Sequence, residues 1–331
     1  MRKFAPAASA RAAEVLTASI AFLSYRDRQW VDAALDGVLA QTAPCQLLIS
    51  NDAGDDGTFE RIAERLQGYQ GPHRIDLLVK QPRNLGLIGS CNALFSQANG
   101  DIVVLMGGDD VSAPERVEKL LAAYAAHPET MAIGSDFQAV DDGDLPVSID
   151  FSNELRHFDL HRLQQSRAFH TLLGAALSFR REVFTRFGPL QGMVEDSALT
   201  LRACLLGDCR NLPEKLVRYR QHSGSISHRL FARDVEDARE LKRIWLRRTA
   251  SLFQGAAEDF EHCIQQMPEL SGQKRRDAQR LQHRYASTAR MRKALADGGF
   301  SERWAALCFA LSRPGNRRRA LEYTGKLWRS L

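Results

Sequence analysis

The sequence predicts an α/β fold: a mostly parallel sheet covered by helices on both faces, followed by a helical C-terminal region. Three observations carry that reading. Short apolar runs alternate with stretches of helical spacing over residues 16–126. The runs are nearly continuous in apolar residues, as in strands buried on both faces. Polar residues stand at the ends of those runs, where ligands sit in parallel sheets.

Taken in order, residues 16–24 (LTASIAFLS) form the first strand, and 27–41 form a helix with Trp30, Ala34, Leu35, Val38 and Leu39 at helical spacing. QLLIS at 46–50 is the second strand, 58–67 a helix, RIDLLV at 74–79 the third strand, 87–98 a helix and 102–106 the fourth strand. Pro114 opens a helix that runs to residue 126, in the first-turn position that proline favours. Beyond residue 130 the pattern is mixed. It gives a strand at 131–137, a turn-rich DDGDLPVSID at 141–150 that suggests a hairpin, and a small-residue apolar segment at 170–179. A short helix at 181–187 closes on Gly188-Pro189, and a helix at 195–206 begins with two acids. Helix dominates after residue 227, and the nearest candidate boundary falls at 224–233.

Composition excludes several classes. With 44% hydrophobic and 26% charged residues, the chain reads as an ordinary globular protein. No apolar run approaches the roughly 18–20 residues of a membrane span. The N-terminal MRKFAPAASARAAEVL has no apolar core before Arg11 and Glu14, so no secretory signal is expected and the cytoplasm is the expected compartment. Six scattered cysteines lack paired metal spacing and read as free thiols. Charge is uneven: residues 1–228 hold 23 Lys and Arg against 28 Asp and Glu, whereas 229–331 hold 22 against 12. An acidic body and the lack of a recognised nucleic-acid fold argue against nucleic acid as a partner.

The chemistry concentrates in a few places. VVLMGGDDVSAPERV (103–117) sets Asp109 and Asp110 side by side after a strand, behind two glycines. Adjacent carboxylates repel, and a hard divalent cation relieves that repulsion; a solvated turn with Asp110 capping the next helix is the structural alternative. Ser24 and Tyr25 end the first strand and Asn51 and Asp52 the second, so three segments deliver polar groups to one sheet edge. GPLQGMVEDSALT places Glu195 and Asp196 at a helix start, where the dipole alone would favour them. RYRQHSGSIS places His222 among small hydroxyl residues, which is also an ordinary loop composition. DAGDDGTFERIAE is not a calcium loop, because Gly54 and Ala63 occupy its third and twelfth ligand positions. There is no G-x-G-x-x-G after a strand, which argues against a dinucleotide-dependent dehydrogenase.

In order and spacing, these pieces resemble the inverting family 2 glycosyltransferases of the GT-A fold. The matching stretches are SYRDRQWVDAALDGVLAQT, ISNDAGDDGT, NLGLIGSCN, GGDD, LSFRREVFTRFGPLQGMVED and YRQHSGSIS, together spanning about residues 19–227. One departure is clear: the first Asp of the family's D-x-D aligns with Gly107. The resemblance implies a Rossmann-like nucleotide-sugar transferase fold, with a catalytic domain at 15–228 and a basic helical region at 229–331. It implies that Asp52 accepts a hydrogen bond from the nucleotide base. Ser24, Tyr25 and Asn84 would line the donor pocket with Gly108, Asp109 and Asp110. Asp109 and His222 would hold Mn2+ or Mg2+ against the diphosphate. Asp196 would be the general base, positioned by Glu195, and the segment 222–227 a lid.

The implied activity is metal-dependent, inverting sugar transfer from a nucleotide donor, a UDP-sugar first among them, to a hydroxyl of a glycan or lipid-linked acceptor in bacterial surface polysaccharide or lipopolysaccharide synthesis. The alternative is a non-catalytic member that binds nucleotide or scaffolds an assembly complex; Gly107 favours it, and the joint survival of Asp109, Asp196 and His222 opposes it. The tail SERWAALCFALSRPGNRRRALEYTGKLWRSL interleaves Trp and Leu with Arg. That pattern suits an interfacial helix on anionic lipid at the inner face of the membrane, and equally a helical appendage packed on the core. A homo-oligomer stays open.

Overall fold

The computed structural model describes residues 15–149, 151, 155–166, 168–225 and 237–312. Four parallel strands form one half of the sheet: β1 (Ala18–Ser24), β2 (Cys45–Asn51), β3 (Arg74–Lys80) and β4 (Ile102–Gly107), in the spatial order β3-β2-β1-β4. Helices α1 (Val31–Leu39), α2 (Thr58–Leu66) and α3 (Gly86–Phe95) make the crossovers. β1, β2 and β4 are buried almost throughout, which explains why their sequences are continuously apolar. β3 is the edge and carries the charges of Arg74, Asp76 and Lys80.

The other half is mixed. β4 pairs antiparallel with β8 (Ser178–Arg180), and β8 antiparallel with β6 (Thr130–Val140). β6 runs parallel to β9 (Asp208–Arg220), which also pairs with the two-residue β5 (Val111–Ser112) and with β7 (His157–Asp159). The structure departs from expectation at three places here. Residues 208–220 form a strand that the sequence pattern does not announce, because Pro213, Glu214 and Lys215 interrupt its apolar run; the register of β6 with β9 shifts at that point. β5 is too short for any period to show. The expected hairpin at 141–150 reduces to a turn with one bridge, Val140 to Pro146.

Two apolar layers cover the sheet. On one face α1, α2 and α4 (Arg116–Ala126) pack Val31, Leu35, Ile62, Val117 and Leu120 against Phe22, Leu47, Ile49 and Val104. On the other, α3 and α7 (Glu195–Leu206) cover Ala21, Leu48, Val103 and Leu105. That second core continues without a break into α8 (Ala238–Gln265) and α9 (Gly272–Asp297) through Ala256, Phe260, Ile264, Ala278 and Leu281. The first two helices of the basic region therefore pack on the core, and α10 (Phe300–Leu311) packs on α9. The short elements α5 (Leu160–Gln165) and α6 (Glu182–Thr185) complete the chain. The expected lid residues Ile226 and Ser227, the boundary at 228 and the tail from 313 lie outside the described residues.

No helix among the described residues is long and apolar enough to cross a membrane. All six cysteines are free thiols, five of them buried.

Candidate active site

The carboxyl ends of β1, β2 and β4 are tied together by backbone bonds from Asp52 to Ser24 (2.9 Å) and from Gly108 to Leu23 (2.8 Å). Ser24 is buried there; its hydroxyl donates to the Ser50 carbonyl at 3.3 Å and accepts from Asn51 Nδ2 at 3.2 Å. Among the described residues three non-glycines adopt left-handed φ: Arg26 (60°), Ala53 (58°) and Asp144 (65°). They follow β1, β2 and β6, so the backbone strain gathers at one edge.

Asp52 is buried, and its carboxylate accepts from the backbone of Leu85 (2.7 Å) and Gly86 (2.9 Å). Asn84 Oδ1 accepts from the same Gly86 N–H at 2.9 Å. Asp52 thus fastens the loop that presents Asn84, and its two oxygens keep lone pairs for a further donor.

The paired aspartates divide their work. Asp110 turns inward, 3% exposed, and accepts from the backbone N–H of Arg220 at 2.9 Å, with the buried Arg116 guanidinium nearby. Asp109 turns outward, and its Oδ2 lies 3.0 Å from His222 Nε2. Gly107 and Gly108 make this possible. A Cβ at Gly107 would sit 2.5 Å from Asp109 Oδ1, so the Asp109 carboxylate fills the space of the missing side chain. A Cβ at Gly108 would sit 2.5 Å from Asp27 Oδ2.

Two residues that sequence reasoning passes over complete this cluster. Asp27 is buried beside Gly108 and accepts from the Tyr25 N–H at 2.8 Å. Burial first, and the Asp109 charge second, push both Asp27 and Asp110 well above the usual carboxylate range. Arg220, 1% exposed, donates to the Asp109 carbonyl (3.0 Å), the Asp141 carbonyl (2.8 Å) and the Asp144 carboxylate (2.7 Å). Trp30 packs on both sides of this corner, 4.2 Å from the His222 ring and 5.8 Å from the Arg220 guanidinium. The signal for Arg220 lies in the stretch RYRQH, but only the strand β9 shows that its side chain points under the aspartates.

Glu195 and Asp196 form a second cluster at the first turn of α7. Glu195 is buried against the 3-10 turn Gly174–Ala176, and a Cβ on Gly174 would overlap its Oε1. Burial, then the Asp196 charge, push the Glu195 carboxyl up to about 8. Burial also raises Asp196, which accepts from the Ser197 N–H. The two clusters are joined by Arg116, which donates to Ser112 Oγ (3.0 Å) on one side and to the Ala175 carbonyl (3.1 Å) on the other. The loop before α7 is held from two sides. Asn92 exchanges two bonds with Leu190 (2.7 and 3.0 Å). Gly192 lies against Gly255 of α8 so closely that a Cβ at 255 would come within 2.7 Å of it.

The family model for glycosyl transferase family 2 matches residues 19–188, just over half of the chain. The chain belongs to that family. An uncharacterized protein of Mycobacterium tuberculosis is 27% identical over 214 residues, 63% of this chain and 60% of that protein, so the chain spans less than two thirds of that relative's length. The O-antigen biosynthesis glycosyltransferase WbnJ of Escherichia coli is 24% identical over 215 residues, 62% of this chain and 80% of that one. Among solved structures, Staphylococcus aureus TarS in complex with UDP-GlcNAc superposes with a TM-score of 0.55 at 15% identity, covering 92% of this chain and 83% of that one. The mannosyltransferase PcManGT of Pyrobaculum calidifontis, in complex with GDP-Man and Mn2+, gives 0.53 at 19% identity, with 95% and 81% covered. These likenesses establish the GT-A fold for this family 2 chain.

Proposed function

We propose that the chain transfers a sugar, with inversion, from a nucleoside diphosphate donor to an acceptor hydroxyl. The observation that carries this is the 3.0 Å approach of Asp109 Oδ2 and His222 Nε2, residues 113 apart in the chain, at the carboxyl edge of the parallel strands. The donor pocket would be lined by Ser24, Tyr25, Asp52 and Asn84, and Gly108 lets Asp27 and Ser24 pack closely at this edge.

The donor set fits a hard divalent cation, Mn2+ or Mg2+. A carboxylate and an imidazole face one another, and burial together with the Asp109 charge raises the neighbouring Asp27 and Asp110 carboxyls. Among the described residues no third His, Cys, Asp or Glu joins them, which leaves coordination positions for diphosphate oxygens and water. A cation bound there would neutralise the charge that builds on the leaving diphosphate. Asp110 serves from below, fixing the turn through Arg220 and not facing the donor.

On the acceptor side, Asp196 takes the proton from the attacking hydroxyl. Its raised basicity suits that task. Glu195 and Asp196 titrate together, and burial with the Asp196 charge pushes the Glu195 carboxyl up to about 8. Attack from the face opposite the diphosphate gives inversion without a covalent sugar–enzyme intermediate. A UDP-sugar is the first donor to test, since TarS is in complex with UDP-GlcNAc; PcManGT, in complex with GDP-Man, keeps GDP in the panel. The acceptor is a glycan or lipid-linked glycan, in keeping with the O-antigen biosynthesis in the WbnJ name.

Asp196→Asn tests the reading against a non-catalytic scaffold. The enzyme reading expects transfer to fall by about 10²–10⁴-fold with donor affinity unchanged. Undiminished transfer by the variant would remove Asp196 as the base.

A further inference from the structure

Helix α10 carries a wide apolar surface, and among the described residues only part of it is covered. Ala306, Leu307 and Ala310 are buried against Met291 and Ala294 of α9. Beside these residues on the helix, Phe300 is 69% exposed, Trp304 58% and Leu311 38%, with Cys308 exposed between them. These four follow at spacings of four, four and three residues, so they form one stripe along the helix. Large apolar side chains gathered on an exposed helix face mark a contact surface.

The surroundings say what that surface meets. Residues 237–312 carry 14 Lys and Arg against nine Asp and Glu, and residues 313–331 carry six against one. Within the helical layer Arg290 lies 3.6 Å over the Phe309 ring of α10, and Arg292 lies 4.6 Å over Trp245 of α8. Tryptophan and phenylalanine presented by a basic helical layer match a lipid surface with anionic headgroups: rings enter the headgroup–acyl boundary and cations pair with phosphates.

We propose that α10 docks the protein on an anionic membrane surface through Phe300, Trp304, Cys308 and Leu311. The same layer touches the catalytic half. Gly255 of α8 packs on Gly192 in the loop before Glu195, and Trp245 lies ten residues, about 15 Å of helix, from Gly255. The docking itself does not depend on catalysis.

The test is sedimentation of the full chain with phosphatidylcholine vesicles, with and without phosphatidylglycerol. The protein is expected to bind the phosphatidylglycerol vesicles, less so as salt rises, with a blue shift of tryptophan emission. Phe300→Ser/Trp304→Ser is expected to lower the partition coefficient by about tenfold or more, while Val15→Ser, on an exposed residue far along the chain, leaves it unchanged. Trp304→Gln alone serves as the milder second variant. Three results would overturn the proposal: no binding to anionic vesicles, equal binding to both vesicle types, or undiminished binding by both variants. A change in oligomeric mass of the variants without lipid would show instead that a second copy of the chain covers this face.

Discussion

At the scale of single residues, the adjacent Asp109 and Asp110 answer to opposite environments. Asp110 is spent on Arg220 beneath the sheet edge, and Asp109 faces His222 above it. The residue at 107 decides which way Asp109 can lie. Restoring the family's acid by Gly107→Asp is expected to weaken Mn2+-dependent nucleotide binding, because the new Cβ would meet Asp109 Oδ1 at 2.5 Å and push it from His222. Isothermal titration reads this directly, and tighter metal-dependent binding would show that the wild-type glycine is a lost ligand position. Glu195 gives a second residue-scale prediction. Burial and the Asp196 charge raise its carboxyl from an ordinary 4.5 to about 8. Between those values the folded protein holds a proton the unfolded chain has released, so this group stabilises fully below about pH 4.5 and its contribution is lost as pH rises to about 8. Thermal melts should show stability falling across that window, with a shallower slope in Glu195→Gln. An unchanged slope would mean that other buried acids, Asp27 and Asp110 among them, carry it.

At the scale of elements, the loop before α7 is set by its neighbours. Arg202 of α7 and Asp259 of α8 are both 0% exposed and paired through two bonds of 2.8 and 2.6 Å. Arg202 also donates to the carbonyls of Gly188 and Pro189, and Asp259 accepts from Gln191 N–H. One buried ion pair thus fixes α7, the 188–191 loop and α8 together. Removing one partner leaves the other charge buried alone, so Asp259→Ala should cost about 3–5 kcal/mol in denaturant titration. A loss under about 1 kcal/mol would show that water reaches the site. The elements legible in the sequence are those with a strong period or a continuous apolar run. β1, β2, β4, α2 and α7 appear within one or two residues of their expected ends. β9 is not legible, because its paired residues alternate around an irregular Pro213–Lys215 stretch and its partner β6 is distant in sequence. Strand identity there comes from tertiary pairing and not from local pattern.

At the scale of the whole molecule, the sequence locates the site's visible edge but not its support. Ser24, Asp52, Asp109 and His222 can be named from it because they sit at strand ends or in recognisable motifs. Asp27, Trp30, Arg116 and Arg220 cannot, because their importance lies in what they touch: Arg116 spans from Ser112 to Ala175, and Arg220 from Asp109 to Asp144. The basic C-terminal charge is plain in the composition. That α8 and α9 share the core of the sheet while α10 keeps Phe300, Trp304 and Leu311 exposed emerges only from the packing. The chain is thus one continuous body in which the helical region buttresses the loop before α7.

In the proposed reaction Asp109 and His222 hold a cation against a nucleoside diphosphate. The most direct test is calorimetric titration of UDP, dTDP and GDP into the protein with and without Mn2+, repeated with His222→Ala. One nucleotide is expected to bind tightly only with metal, and His222→Ala is expected to abolish the metal dependence. Nucleotide binding of equal strength with and without Mn2+ would contradict the claim, and would leave the 3.0 Å Asp109–His222 contact as part of the fold alone.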